Sequence, residues 1–448
     1  MSKITIRINE VKGKIKPMHA VNNGPVSGAG RGNFEFLKEA GIPYVRTHDT
    51  GGTYGGAVYV DIQNIFRNFN ANTDDPNAYD FSFTDWLFEQ YENNGAKPFY
   101  RLGCSIENSH KIKAYRIYPP KDNKKWAQIC EHIILHYNEG WANGFHYNIE
   151  YWEIWNEADN EPEMQDNPMW KGTKEQFFEL YATAASYLKG KFPHLKIGGY
   201  ASCGFYKIAQ IEANPNANIS PRIDYFVEFF HEFLQYISDE KHKAPLDFFS
   251  WHSYSDVKAN VIFSHYARET LDKYGFTQTE QLCDEWNPGV KFRGTLRDAT
   301  NIAANMVALH YTTLSMAMYY DWRLNCMYNG AIGADVLFQQ SPFKAFYSFK
   351  AFNELYKMGL EIFTLSDDEK VLSLGAKDEK EIAVLIVNYT DAARETEIVV
   401  SGVKYEDASA FVVDETHTYE RIKLDGFAQS KTIRLEKDAV WLLKMPLR

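Results

Sequence analysis

Two short runs carry chemistry. Trp155-Asn156-Glu157 lies inside IEYWEIWNEAD, and Asp284-Glu285-Trp286-Asn287 lies inside QLCDEWN. Each closes a strand-like stretch on a glutamate. Ile149 to Asn156 is apolar and aromatic and reads as a buried strand, with polarity changing at Asn156, Glu157 and Asp159. The second run starts at Gln281 and stops at the Pro288-Gly289 turn signal. Two carboxyl groups facing each other across a barrel mouth are the least equipment needed to cleave a glycosidic bond. One protonates the departing oxygen while the other attacks or stabilises the sugar cation.

Strand ends must hold these groups, and the chain supplies eight. Apolar runs end near Val21-Asn22, Val45-Arg46, Tyr100-Arg101, Trp155-Asn156, Gly199-Tyr200, Trp251-His252, Cys283-Asp284 and Tyr320-Asp321. Helical patterns alternate with them: Asn33 to Ala40, Thr84 to Asn94, Trp126 to Tyr137, Lys174 to Lys189 behind the N-cap candidate Thr173, Asp224 to Ile237 with Asp224 as cap, Asn260 to Tyr274, Asp298 to Ser315, and Phe343 to Met358. Eight such units predict an α/β protein, a (β/α)8 TIM barrel. Glu157 and Glu285 then end the fourth and seventh strands, at about 43 residues per unit. Barrel chemistry sits at the carboxyl ends of strands, where Arg46, His48, Asn156, His252, Tyr254 and Asp321-Trp322 also cluster.

Beyond about residue 360 the apolar period turns from helical to alternating. VLSLGAKDEKEIAVLIVNYT reads as two strands around Lys377-Asp378, and EIVVSGV, ASAFVVDET, TYERIKL, KTIRLE and AVWLLKMP follow. These predict a small antiparallel β-sandwich domain. The opening strand KITIRINEVKGKI is expected to pair with it. The predicted division is 16–355 for the catalytic barrel, and 1–15 plus 356–448 for a discontinuous accessory β-sandwich.

Composition narrows the partners. The chain has 448 residues, 45% hydrophobic and 24% charged, with a net charge of −11. That balance fits a globular protein and disfavours nucleic acid, so a small-molecule or oligosaccharide substrate is the easier match. Aromatics reach 15%, which suits both sugar stacking and a large aromatic core. No stretch approaches the roughly 18 apolar residues of a membrane span. The N-terminus MSKITIRINEVKGKIKP has no apolar signal core, and Cys104, Cys130, Cys203, Cys283 and Cys326 form no CxxC. Both point to a cytoplasmic protein with free thiols. Edge strands in a small β-domain leave a homo-oligomer open.

With these residues in view, the sequence resembles the clan A glycoside hydrolases, most closely glycoside hydrolase family 39, which includes β-xylosidases. The stretches that carry the resemblance are Val21-Asn22-Asn23-Gly24-Pro25, Arg46-Thr47-His48, WEIWNEAD, WHSY (Trp251 to Tyr254) and DEWN, in that order. Departures fall at Asp49 after His48 and in FYRLGCSIEN, in loops that shape the sugar pocket. The resemblance implies Glu157 as acid/base and Glu285 as nucleophile of a retaining exo-glycosidase. A β-xylosidase is the first expectation. An arabinosidase, a β-glucosidase, a β-galactosidase or a catalytically idle sugar-binding barrel are the alternatives.

The chemistry of that scheme sets further expectations. Like charges drive one pKa up, so the proton belongs on Glu157, while Tyr254 and Arg46 donate to an ionised Glu285. Asn156 donates to the sugar 2-hydroxyl. His252 and Tyr254, two apart, share a strand face and line the pocket; His48 joins them, and Trp322 offers a stacking platform. Trp286 points away from Glu285 and packs. Glu153 shares parity with Glu157 and needs a buried partner, Arg46 or Arg101. Asp284 is out of phase with Glu285 and supports rather than reacts. Asp159 has no clear chemical role. Loops Asp49 to Phe69 and Asn108 to Pro120 could wall the cleft. No HxH, HExxH, Walker A, GxSxG or calcium loop occurs, and Gly28, Gly30 and Gly32 lack dinucleotide spacing; no metal and no cofactor are expected.

Overall fold

Eight parallel strands close into a barrel in the order β2 (Ala20–Asn22), β3 (Tyr44–Arg46), β4 (Lys97–Leu102), β5 (Tyr151–Ile154), β6 (Lys196–Ser202), β7 (Phe248–Ser253), β8 (Glu280–Trp286) and β9 (Met316–Tyr319). The computed structural model describes residues 2–25, 32–50, 60–106, 116–324, 326–335, 339–402, 408–427 and 429–447. Gly28, Gly30 and parts of both expected cleft walls (51–59 and 108–115) lie outside them.

Side-chain alternation builds the barrel in layers. At the base, Ala20, Phe99, Tyr151, Phe248, Leu282 and Met318 form an apolar plug. Two residues further along the strands the inward side chains become polar: Asn22, Arg101, Glu153, Ser250 and Asp284, joined by Arg46, all with 0% exposure. The outward residues Val45, Tyr100, Trp152, Phe249 and Cys283 join the core beneath the helices. The barrel thus carries a buried charged layer between its plug and its rim.

The helices α1 (Glu35–Ala40), α3 (Ser82–Asn93), α4 (Asn123–Glu139), α5 (Lys174–Lys191), α7 (Pro221–Ser238), α8 (Val257–Lys273), α9 (Leu296–His310) and α10 (Lys344–Met358) match the eight expected patterns. Thr173 does cap α5, in a reciprocal capping box with Gln176. Two bounds differ. The α7 cap is Ser220, followed by Pro221, not Asp224, which lies inside the first turn. Thr295 caps α9, which ends at His310. The short α2 (Ile62–Ile65) and α6 (Tyr206–Ala213) are additional. No helix among the described residues is long and apolar enough to cross a membrane.

The second sheet has nine strands: β1 (Ser2–Lys14), β12 (Leu360–Ser366), β13 (Val371–Lys377), β14 (Glu381–Asn388), β15 (Arg394–Ser401), β16 (Ser409–Val413), β17 (Thr418–Lys423), β18 (Ser430–Leu435) and β19 (Ala439–Pro446). They hydrogen-bond as one sheet, β17-β16-β19-β14-β13-β12-β1-β15-β18. The sheet curls, since Ile398 and Ile433 near one edge and Ala410 and Val412 near the other share one core. Pairing is antiparallel except where β1 runs parallel to β15. A hairpin of β10 (Ile332–Ala334) and β11 (Gln340–Pro342) stands apart. β14 explains its own unbroken apolar run: Ile382, Val384 and Ile386 fill the curled sheet, while Ala383, Leu385 and Val387 pack with the barrel core.

Candidate active site

Glu285 faces inward because β8 breaks its own alternation. Trp251 pairs with Cys283, but His252 pairs with Glu285, so one residue is extra at Asp284. This β-bulge turns both Asp284 and Glu285 into the barrel. Asp284 keeps the inward parity of Leu282, and Trp286 returns to the outer core, edge-on to Tyr319. At the end of β5 the backbone is also special. Trp155 and Glu157 have φ of 75° and 47°, a left-handed conformation that bulky residues adopt at a cost of roughly 1–3 kcal/mol. Hydrogen bonds from Trp155 N to Leu102 O (2.7 Å) and from Glu157 N to Ala201 O (3.0 Å) hold it in place.

Arg46 is the hub beneath the rim. Its Nε donates to Glu153 at 2.8 Å, and its Nη1 to Asn22 at 3.1 Å and Glu285 Oε1 at 3.0 Å. Nη2 donates to Asn156 Oδ1 at 2.8 Å, and Asp284 Oδ2 lies 2.9 Å from Nε. Glu153 therefore has Arg46 as its partner, with Ser250 donating to its other oxygen at 2.6 Å. Arg101 instead binds Asp61 at 2.5 Å and Ser105 at 2.7 Å. Burial opposes the Arg46 charge, but the surrounding carboxylates raise its pKa above an already high value. Burial beside Glu153 pushes the Asp284 carboxyl well up, against the pull of Arg46 and His252.

On the rim, Glu157, His252 and Glu285 bring donor and acceptor atoms within 4.8 Å of one another. Tyr254 donates to Glu285 Oε2 at 2.8 Å, so the two expected donors to Glu285 are both present. Glu157 is bonded on both oxygens: His252 Nδ1 lies 2.8 Å from Oε1, and Asn160 Nδ2 donates to Oε2 at 2.7 Å. Arg222 steadies Asn160 through its carbonyl and side-chain oxygens at 2.8 and 3.0 Å. His48 Nε2 is 3.1 Å from Asp49 and 3.9 Å from Glu285. Burial, with Arg46 and Arg101 nearby, drives its pKa well down, so it stays neutral.

The proton distribution differs from expectation. Burial alone raises the Glu157 carboxyl, but the hydrogen bond and charge of His252 outweigh it and hold Glu157 below its usual value. Burial pushes Glu285 up, helped by Glu157 and Asp49 and opposed by His252 and Arg46. His252 itself is raised to about 9, because Glu285, Asp284 and the Glu157 hydrogen bond overcome its desolvation. Asp159, bonded to Ser202 Oγ at 2.7 Å, is pushed by burial to about 7.

One expected residue does not join the site. Trp322 has 0% exposure and packs edge-on against Phe349 at 5.0 Å, in the core under α10. Its ring offers no free face to a sugar. Inward parity along β9 runs Met316, Met318, Tyr320, so the aromatic residue beside the pair is Tyr320. It clusters with Tyr254 and Tyr328 at centroid distances of 6.1 and 5.4 Å and donates to Asp49 at 2.8 Å. Counting by two from the Met residues reaches Tyr320 before Trp322, and β9 ends at Tyr319. Asn160 had no comparable signal.

Comparisons with known proteins agree with this architecture. The sequence pattern described as "Glycosyl hydrolases family 39" matches residues 29–402. A β-xylosidase of Geobacillus stearothermophilus is 25% identical over 241 residues, covering 52% of this chain and 40% of that protein. The match thus spans less than half the length of that curated relative. Among solved structures, a glucosidase from Croceicoccus marinus superposes with a TM-score of 0.77 at 21% identity, over 100% of this chain and 99% of that one. A monomeric β-xylosidase from Caulobacter crescentus gives 0.66 at 14% identity, over 100% of both chains. At these identities the superpositions speak for the fold, and the family match, over most of the sequence, for descent. The chain belongs to glycosyl hydrolase family 39.

Proposed function

We propose that the protein is a retaining glycosidase that removes a sugar from the non-reducing end of a small glycan, with β-xylosides as its substrate class. The observation that carries this reading is the approach of the Glu157 and Glu285 carboxyl groups, whose facing atoms lie within 4.8 Å together with His252. Retaining enzymes need a carboxyl separation of about 5–5.5 Å, whereas inverting enzymes need roughly 6.5–9.5 Å to admit a water.

In this reading Glu285, anchored by Arg46 and Tyr254, attacks the anomeric carbon and forms a glycosyl ester. Glu157 is the more exposed of the two side chains, at 15% against 5%, which suits delivery of a proton to the departing oxygen on the open side. Attack consumes the Glu285 charge. Glu157 then removes a proton from water, which attacks the anomeric carbon, breaks its bond to the Glu285 oxygen and regenerates the Glu285 carboxylate. Asn156 Oδ1 is engaged by Arg46, leaving the amide nitrogen to donate to a sugar 2-hydroxyl as the cation develops. The β-xyloside preference draws on the curated β-xylosidase.

A panel of aryl β-xyloside, β-glucoside, β-galactoside and α-arabinofuranoside tests the reading, with Glu285→Ala as the control. Turnover should be fastest on the xyloside and lost in the variant. Wild-type failure on all four would contradict the glycosidase reading, and Glu285→Ala retaining more than about a tenth of the wild-type rate would contradict a nucleophilic Glu285.

A further inference from the structure

We propose that His252 stores the proton of the reaction: its Nδ1 gives a proton to Glu157 as Glu157 protonates the leaving-group oxygen, and regains it after water is deprotonated. This rests on the glycosidase reading above.

Both oxygens of Glu157 are occupied. Asn160 donates to Oε2 at 2.7 Å, and an amide gives up no proton at physiological pH. His252 Nδ1 holds Oε1 at 2.8 Å, and an imidazolium can release its proton. Glu157 as a bare carboxylate has nothing to give a leaving group. The nearest mobile proton is one hydrogen bond away.

The groups facing the imidazole favour its charged form. Glu157, on the segment after β5, lies 2.8 Å from Nδ1, and Glu285, on β8, lies 3.4 Å from it. Asp284, also on β8, is 3.6 Å from Nε2. Arg46 and His48 approach from β3 and the segment after it, and Tyr254 shares the strand of His252. Arg46 is already bonded to Glu153 and Glu285, and His48 is neutral. Even with Asp284 holding a proton, two carboxylates remain close to Nδ1, and the pKa of His252 is raised to about 9. His252 Nε2 has no hydrogen-bond partner, so the hydrogen-bonded exit for the proton runs to Glu157.

The same charges drive the transfer. As Glu285 bonds to the anomeric carbon it loses its negative charge, and the imidazolium loses a stabilising neighbour in that step. The Nδ1–H bond breaks, Oε1 of Glu157 takes the proton, and the leaving oxygen takes a proton from Glu157. His252 is then neutral beside a Glu157 carboxylate free to act as base. When water attacks, its proton passes to Glu157, and the returning charge on Glu285 draws it back to Nδ1. Atoms and charge balance over the two half-reactions, and no outside reagent is needed.

His252→Asn, whose amide replaces the hydrogen bond but does not titrate, provides the test. The readout is the pH profile of kcat/KM on phenyl and 2,4-dinitrophenyl glycosides of the sugar found in the panel. In wild type the basic limb should lie near 9. In the variant the proton must reside on Glu157, and the basic limb for the phenyl glycoside should fall by about two pH units or more. The dinitrophenyl glycoside, which leaves without protonation, should keep its alkaline activity. A basic limb unmoved with an even loss at every pH would assign His252 a purely structural role and overturn the proposal. Nitrogen NMR of histidine-labelled wild type decides independently of whether the variant folds: the His252 ring should be an imidazolium at pH 7, and a neutral ring there overturns the proposal. Absence of wild-type turnover would sink the glycosidase reading instead, so the two failures are distinguishable.

Discussion

Tyr254→Phe isolates one hydrogen bond at the nucleophile. The hydroxyl donates to Glu285 Oε2 at 2.8 Å, while Arg46 independently holds Oε1 at 3.0 Å. Phenylalanine keeps the ring that packs on Tyr320 and Tyr328, so the change removes a donor and little volume. A hydrogen bond to a charged group contributes about 1.5–3 kcal/mol. At 1.36 kcal/mol per pKa unit this corresponds to a rise of about one to two units in the Glu285 pKa. The sign follows from the donor stabilising only the carboxylate. Burial already places Glu285 above the usual value, so the acid limb of kcat/KM should move further up. Activity on an activated aryl glycoside should fall by about 10- to 100-fold on the acid side of the profile and much less near neutrality. An acid limb that stays in place while the rate drops equally at every pH would refute the assignment of Tyr254 as the donor that keeps Glu285 ionised.

Glu157→Ala should slow poor leaving groups far more than dinitrophenolate, and azide should restore turnover of the activated substrate; equal losses on both would remove the acid role. Trp322→Ala should cost about 3–5 kcal/mol of stability, seen as a lower melting temperature, with KM little changed. A large rise in KM without loss of stability would return Trp322 to the sugar site. Asp159 has its folded pKa raised to about 7, so the folded state binds more protons than the unfolded state between about pH 4 and 7, and stability falls with rising pH across that window. Asp159→Asn should therefore gain in melting temperature relative to wild type as pH rises from 4 to 8; a difference independent of pH would show that Asp159 titrates normally.

The barrel was legible because each strand end combines an apolar run with a polar stop, and because Phe99/Arg101, Tyr151/Glu153 and Phe248/Ser250 keep a strict period of two. Arg46 and Tyr254 were legible as partners of Glu285 because an ionised nucleophile needs donors from neighbouring strand ends, although parity along β8 alone would have turned Glu285 away from them. What escaped depends on tertiary pairing. The extra residue in β8 is set by its register against β7, and no local pattern in QLCDEWN announces that Asp284 and Glu285 both turn inward. Trp322 follows the last inward position, so the reading of a rim tryptophan as a platform was overturned by the helix packed behind it. The placement of the proton also needed coordinates, since two glutamates alone put it on Glu157, and only the approach of His252 to Oε1 moves it. In the second sheet, β15 and β18 follow the alternating pattern while β14 is buried on both faces, and the parallel pairing of β1 with β15 joins segments almost 400 residues apart and has no local signature.

The central claim is that Glu285 forms a covalent bond to the sugar. A 2-deoxy-2-fluoro glycoside with a dinitrophenolate leaving group, made for the sugar that the panel identifies, slows the second step and accumulates the ester. Intact-mass measurement should show one added fluoroglycosyl unit, and peptide fragmentation should place it on Glu285. An adduct on another residue, or unmodified protein during steady release of dinitrophenolate with an inverted product, would contradict the account.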